Sequence, residues 1–519
     1  MIQPTVMQPD CSGGSTDWPM FGQNVCNTGS PNGASTITKD NAAKLKTKWT
    51  FMAAGEISAT PAVVAGNVYV PDWGGNISKI NAQTGALVWK KSVASLLAGT
   101  SSLTGFFSRT TPLVTSDSVI IGTMRAGAPL VTQYGPGAFI VSLDKDSGAV
   151  KWITPVHENH PAAIVSASPV YDGTNLYIGV ASSEEAFKNY NKSYMCCSFR
   201  GAVYAINAST GAVVWKTHTI SDSLYYANGT SGTLGGYTGD SIWSSAPVLD
   251  RKRHQLYVTT GNNYTLPQGS MGMVNGNAVD AVMAVDVATG AVKWTTSLPE
   301  GGVDIWTFDD PMGPDSDFGA GANFFTAMVD GTATDLVGAG QKSGMYYALN
   351  ADTGSVVWKT QVGPGGHLGG IHWGTATDGV RIYVGVNNEG GGSYTLQGKG
   401  PQAGKTTHTG IWSALDPATG AILWQIENPA LSLPVQGADV NAPVVAVNGV
   451  VLGGSMDAMG TMFAIDGATG DVLWSFKSGG TVYGGPAVVG DTVYWGSGYT
   501  SSRLGFGTSS QKLYAFQVP

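Results

Sequence analysis

The sequence is short of charge. Only 12% of its 519 residues are Asp, Glu, Lys or Arg, which speaks against long solvated helices and for tight turns. It has no long apolar run: none reaches the roughly 18 residues of a bilayer-crossing helix, so no membrane span is expected. It has no basic stripe. The net charge is −8, and the longest basic cluster is Arg251-Lys252-Arg253, which reads as the cap of a surface turn. A nucleic-acid partner is therefore not expected. Cysteine is scarce, with four residues and neither pair at zinc spacing. The absence of Cys-x-x-Cys-His excludes a covalent c-type haem. The opening residues lack a basic region followed by an apolar core, so no signal peptide is read in this chain.

Glycine, by contrast, is abundant at 73 residues, and 15 Trp and 20 Tyr argue for an ordered, packed interior. The cysteines form two pairs. Cys11 and Cys26 flank a Gly/Ser-rich stretch, where a disulfide would staple the N-terminal arm, and Cys196 and Cys197 are adjacent. The even count favours an oxidising compartment, periplasmic or secreted.

The strongest signal is an internal repeat. The segments KINAQTGALVWK, SLDKDSGAVKW, AINASTGAVVWK, AVDVATGAVKW, ALNADTGSVVWK, ALDPATGAILW and AIDGATGDVLW each read as strand, turn, strand. The Asp or Asn with the following Gly supplies the turn, since glycine accepts positive φ. The closing Trp89, Trp152, Trp215, Trp294, Trp358, Trp424 and Trp474 are expected to pack between neighbouring sheets. A further strand pair precedes each unit, giving the four strands of a propeller blade. An eighth unit at the C-terminus ends in KLYAFQV without its last strand, and LKTKWTF with Trp49 looks like that strand. The expected fold is all-β: an eight-bladed β-propeller of four-stranded antiparallel blades, closed by an N-terminal strand joining the last blade. It would form one domain over 1–519, with 1–45 as an arm leading into the closing strand. Insertions at about 99–140, 186–196, 219–242 and 299–325 should be loops at one mouth of the channel.

The arm DWPMFGQNVCNTGSP and the segments FFSRTTP, ASSEEAF, CCSFRG, IWSSAP, TTGNNY, GPDSDFGAGANFF, GQKSG, GGIHWGTATDG and GGSMDA are spread over all blades. Together they resemble the pyrroloquinoline-quinone (PQQ) alcohol dehydrogenases, in their polyvinyl-alcohol-dehydrogenase-like branch. The resemblance implies a PQQ- and Ca2+-dependent oxidation of a primary or secondary alcohol, polymeric or bulky alcohols included, with a separate electron acceptor such as cytochrome c.

It also implies roles. Glu185 matches a carboxylate ligand of Ca2+, with Glu184 as the alternative one residue away; in a regular strand only one of the two can face the ion. Asn262 matches the amide ligand, and hard oxygen donors suit Ca2+. Asp317 matches the catalytic base beside the ion, with Asp315 as the alternative on the same face of an extended segment. Ser316 replaces the Trp that often precedes this Asp. Gly319 stands where lanthanide-using relatives carry an extra Asp, which favours Ca2+. Lys342 matches the cation beside the quinone oxygens. Arg109 matches the clamp on a PQQ carboxylate, Ser166 and Ser182 match hydroxyls around the cofactor, and Trp243 matches its aromatic floor. Glu56 matches a further polar contact. Methanol-oxidising relatives cover PQQ with a vicinal disulfide placed before the second blade. Here Cys196 and Cys197 follow Glu185 instead, and are assigned to the cofactor by analogy. His367 and His372 read equally as channel-mouth and as ordinary loop histidines. The competing reading is a non-catalytic scaffold or polymer-binding propeller with the same repeat.

Overall fold

The computed structural model describes residues 7–11, 16–31, 35–125, 135–190, 193–226, 236–243, 246–302, 304–307, 313–430, 439–500 and 507–519, with the backbone alone at 188–190. Parts of each of the four expected insertions lie outside the described residues. Eight antiparallel blades follow one another around a ring, at 62–92, 113–155, 170–218, 248–297, 323–361, 376–427, 445–477 and 487–517. The last blade takes its fourth strand from the other end of the chain: Lys46–Met52 pairs antiparallel with Lys512–Gln517. This is the eight-bladed propeller that the repeat predicts. The closing strand removes the open sheet edge that would otherwise separate the first and last blades.

The turns form as their residues dictate. Asn81 Oδ1 accepts from the backbone N–H groups of Gln83 and Thr84, and Asn350 Oδ1 from those of Asp352 and Thr353. This turn chemistry leaves the following glycine in the left-handed region. Gly85, Gly148, Gly211, Gly290, Gly354, Gly420 and Gly470 have φ between +68° and +84°. A second constraint was not visible in the sequence. A Cβ at any of these glycines would stand 2.4 to 3.2 Å from the tryptophan ring of the preceding blade. Each glycine is thus both a turn and the flat seat of a ring.

Those rings are the joints of the propeller. The indole N–H of each docks on a backbone carbonyl of the next blade, at 2.8 to 3.3 Å. Trp49 donates to Ala82, Trp89 to Lys145, Trp152 to Ala208, Trp215 to Val287, Trp294 to Ala351, Trp358 to Pro417, Trp424 to Gly467 and Trp474 to Leu45. Trp474, bonded to Leu45, joins the two ends of the chain, and Trp49 links the closing strand to the first blade. The arm is fixed as well: Trp18 pairs with Val63, and Cys11 is bonded to Cys26.

The inter-blade loops at one mouth are laced together. Short ribbons join Phe106–Phe107 to Met124–Arg125, Thr238–Gly239 to Asn263–Thr265, and Gly319–Ala320 to His372–Trp373. A single bridge adds Asn263 to Ile305. These pairings hold the segments that carry most of the candidate residues.

If the joints are equivalent, Trp49→Ala should cost about 3 kcal/mol, the low end for a large aromatic because the ring is only partly buried. Denaturant unfolding should show Trp294→Ala, an interior joint, shifting the midpoint by a similar amount. An unshifted midpoint for Trp49→Ala alone would mean that ring closure adds no stability.

Candidate active site in the central channel

A cavity of about 250 Å³ lies in the channel. Its walls include Arg109, Ser166, Ser182, Glu185, Trp243, Asn262, Asp315, Asp317 and Lys342. Side chains from separate blades, far apart in the chain, therefore face one space.

One end is acidic. Lys342 Nζ donates to Asp315 at 2.9 and 3.1 Å and to Asp317 Oδ2 at 2.6 Å. Burial alone would lower the Lys342 pKa. Asp315 and Asp317 outweigh it and hold the ammonium charged, well above the ordinary lysine range. Asp317 Oδ1 accepts from the Asn262 N–H at 2.6 Å. This close approach explains the glycine of Thr-Gly-Asn-Asn: a Cβ on Gly261 would stand 2.1 Å from Asp317 Oδ1. The Asn262 amide is oriented by its nitrogen, which donates to the carbonyls of Asn263 and Trp306 at 2.6 and 2.9 Å. Among the described residues no hydrogen bond to its side-chain oxygen appears, and Asn262 lines the cavity.

The two neighbouring glutamates differ completely. They begin a short helix, Glu184–Tyr190, not a strand, so successive side chains diverge by about 100°. Glu184 is fully buried and accepts from the N–H groups of Ser198 (2.9 Å) and Phe199 (2.8 Å) and from Tyr194 Oη (2.8 Å). Burial would raise its pKa, but His160 and these donors hold it below the ordinary carboxylate range. Glu185 lines the cavity instead, and no hydrogen bond of its carboxylate appears among the described residues. Burial and then Asp317 push its pKa up to about 8, against the pull of Lys342.

The other end is cationic and aromatic. Arg109 lies 4.0 Å over the Trp373 ring and 5.8 Å from those of Trp73 and Tyr483. Among the described residues it makes no ion pair. Trp243 neighbours both groups, with Lys342 Nζ 5.0 Å from its ring and the centroid of Trp373, the ring under Arg109, 5.4 Å away. Ser166 Oγ donates to the Trp243 carbonyl at 2.9 Å, and Ser182 Oγ accepts from the Glu184 N–H at 2.9 Å. Both hydroxyls brace the wall.

Three expected residues are elsewhere. Glu56 does not line the cavity: its carboxylate is taken by Thr500, and its carbonyl accepts from Trp73 N at 2.9 Å. It therefore backs a wall residue. Cys196 and Cys197 are bonded to each other but do not line the cavity. The loop after them is held by Glu184, the glutamate that does not face the channel. Conversely, Trp73, Tyr264, Trp306, Trp373, Tyr483 and Tyr499 line the wall without having been singled out, and His367 and His372, read equally as channel-mouth and as loop histidines, both line it. His372 is buried and kept neutral. Burial and then Lys342 lower its pKa to about 3, and its Nε2 donates to the Gly369 carbonyl at 2.7 Å.

Among the described residues no three His, Cys, Asp or Glu side chains already stand around a metal position. The donor set nevertheless fits a hard divalent ion. Glu185 offers a carboxylate with no hydrogen-bond donor on it, Asn262 an oriented amide oxygen, and Asp317 a second carboxylate. When Glu185, Asp315 and Asp317 are ionised they face one ammonium, and the two charges left match those of a divalent cation. Arg109, which makes no ion pair among the described residues, fits an acidic organic cofactor.

An eight-bladed ring with Trp243, Arg109, Lys342 and a cluster of carboxylates lining one channel cavity is the setting for the comparisons with known proteins. The family described as PQQ glucose/ethanol/alcohol dehydrogenase, beta-propeller domain, matches residues 18–365, and the chain belongs to that family as an oxidoreductase. It is 31% identical to a polyvinylalcohol dehydrogenase of Sphingopyxis sp. strain 113P3, over 92% of this chain and 72% of the relative. It is also 31% identical to one from Pseudomonas sp., over 89% and 70%. A quinohemoprotein alcohol dehydrogenase from Pseudomonas putida HK5 has the same fold, with a TM-score of 0.72 at 16% identity, covering 97% of this chain and 80% of that one. A second profile, described as outer membrane protein assembly factor BamB, matches only residues 408–510. Arg109, Ser166, Ser182, Glu185, Trp243, Asn262, Asp317 and Lys342 all lie in the dehydrogenase match.

The two glutamates should respond oppositely to substitution. Glu184→Ala strands two backbone N–H groups and should cost about 1–3 kcal/mol. Glu185→Gln removes a carboxylate whose raised pKa makes it a liability to the cofactor-free fold at neutral pH, and the thermal midpoint should hold or rise. A fall with Glu185→Gln equal to that with Glu184→Ala would refute this division.

Proposed function

We propose that the protein oxidises a primary or secondary alcohol to its carbonyl with PQQ and Ca2+ held in the channel, and passes the electrons to a separate acceptor such as cytochrome c. The observation that carries this reading is that one cavity brings together Arg109, Trp243, Glu185, Asn262, Asp317 and Lys342. Glu185, Asn262 and Asp317 would hold the ion. Arg109 would take a carboxylate of the quinone, Trp243 would support its ring, and Ser166 and Ser182 would shape its edge. When bound, PQQ supplies an acceptor for the hydride leaving the alcohol carbon.

The chain's own residues do the rest. Asp317 accepts the hydroxyl proton as general base, its two oxygens oriented by the Asn262 N–H and by Lys342. Lys342 also offers a fixed positive charge where negative charge develops. The aromatic wall of Trp73, Trp306 and Trp373 excludes water and offers apolar surface to an alkyl chain. With relatives named for polyvinylalcohol, this favours secondary hydroxyls on bulky or polymeric substrates. The Cys11–Cys26 bond suits a periplasmic or secreted setting, and no helix among the described residues is long and apolar enough to cross a membrane.

Reconstitution with PQQ and Ca2+ should give dye reduction with a panel of secondary alcohols. Asp317→Asn should cut the rate at least about a hundredfold, the usual weight of a general base. A chain that binds no quinone and turns over no alcohol would return the protein to the scaffold reading.

A further inference from the structure

Both oxygens of Asp317 are engaged, one by Asn262 N–H and the other by Lys342. A cation drawing on Asp317 must therefore compete with an ammonium 2.6 Å away. Were Asp317 the only counter-ion of Lys342, the incoming ion would repel the ammonium and take its partner at once.

Asp315 removes that conflict. Its side chain is 1% exposed, and both oxygens sit on Lys342 at 2.9 and 3.1 Å. Among the described residues Lys342 is its only hydrogen-bond partner. The backbone there is in the left-handed region, at φ +59°, a conformation rare for side-chain-bearing residues though least so for Asp and Asn. The surrounding chain is pinned: Lys342 N–H donates to the Asp317 carbonyl at 2.9 Å, and Ser316 N–H to Asp304. Asp315 is thus held against the ammonium from a segment that has little freedom to move.

We propose that Asp315 is a positioning residue, the standing counter-ion that keeps Lys342 in place and frees Asp317 for the cation. The inference rests on the reading that calcium is held by Glu185, Asn262 and Asp317. It gives Asp315 a task distinct from that of the base two residues on. Asp315 acts through Lys342, and that makes the claim separable from a general electrostatic pull on the ion.

The test is a double-mutant cycle read by calorimetric titration of the full chain with Ca2+ in the presence of PQQ. Asp315→Asn should weaken calcium binding at least about tenfold, the effect of leaving one charge uncompensated. In a Lys342→Met background the same substitution should change it by less than about twofold, because the competition is gone. Asp315→Glu, which keeps the charge, should stay within about threefold of the unsubstituted chain by the same reasoning. Equal losses in both backgrounds, no loss with Asp315→Asn, or a loss with Asp315→Glu as large as that with Asp315→Asn would each overturn the inference. If Asp315→Asn does not fold, Asp315→Ser takes its place in both backgrounds, with the same expected losses and the same outcomes overturning the inference. No calcium binding by the unsubstituted chain would overturn the metal reading and the inference together, and is recognisable as such.

Discussion

Everything in this molecule depends on a tryptophan indole donating its N–H to the backbone of the next blade. The bond is made eight times, and each of the seven Thr-Gly or Ser-Gly turns contributes a glycine so that the ring can lie flat. A four-stranded blade cannot bury both faces alone, and the ring of joints is what lets each sheet cover its neighbours. The eighth joint is made by residues at opposite ends of the chain, so the circle needs its first and last strands together. A closed circle brings loops from every blade to one axis, and this is how residues as distant as Arg109 and Tyr499 come to line one cavity.

The site inverts the economy of the rest of the chain. Charge is scarce elsewhere, yet here acidic and basic side chains are buried around one point. Buried carboxylates persist only when they are paired, protonated or bound to a cation. The structure uses pairing for Asp315 and Asp317, and backbone donors for Glu184. Glu185 has neither, and its raised pKa expresses that lack. That side chain lines the channel cavity.

The repeat, the blade count and the borrowed strand were legible because they recur at fixed spacing. Glu185, Asn262, Asp317 and Lys342 were legible only through resemblance, since an Asp in a Gly-rich loop ordinarily makes a turn. That only one of Glu184 and Glu185 can face the ion was argued from strand geometry, whereas the segment is helical: Glu184 is taken by the backbone donors of Ser198 and Phe199, and Glu185 lines the cavity. The aromatic wall was missed although a signal existed. Trp243, matched through the resemblance, is also a tryptophan outside the repeat set. The same test points to Trp73, Trp306 and Trp373, which line the cavity, along with Trp18, Trp412 and Trp495, which are buried elsewhere. Glu56 and the Cys196–Cys197 pair fall away from the wall because proximity in sequence to a site segment does not decide which side of the loop a side chain takes.

The most direct measurement is a crystal structure of the chain grown with PQQ and calcium, with anomalous scattering used to locate the ion. The account predicts one calcium peak against Glu185, Asn262 and Asp317, with the quinone on Trp243, a carboxylate at Arg109, and Lys342 still on Asp315. Calcium bound outside the channel, or a quinone absent from Trp243, would contradict it.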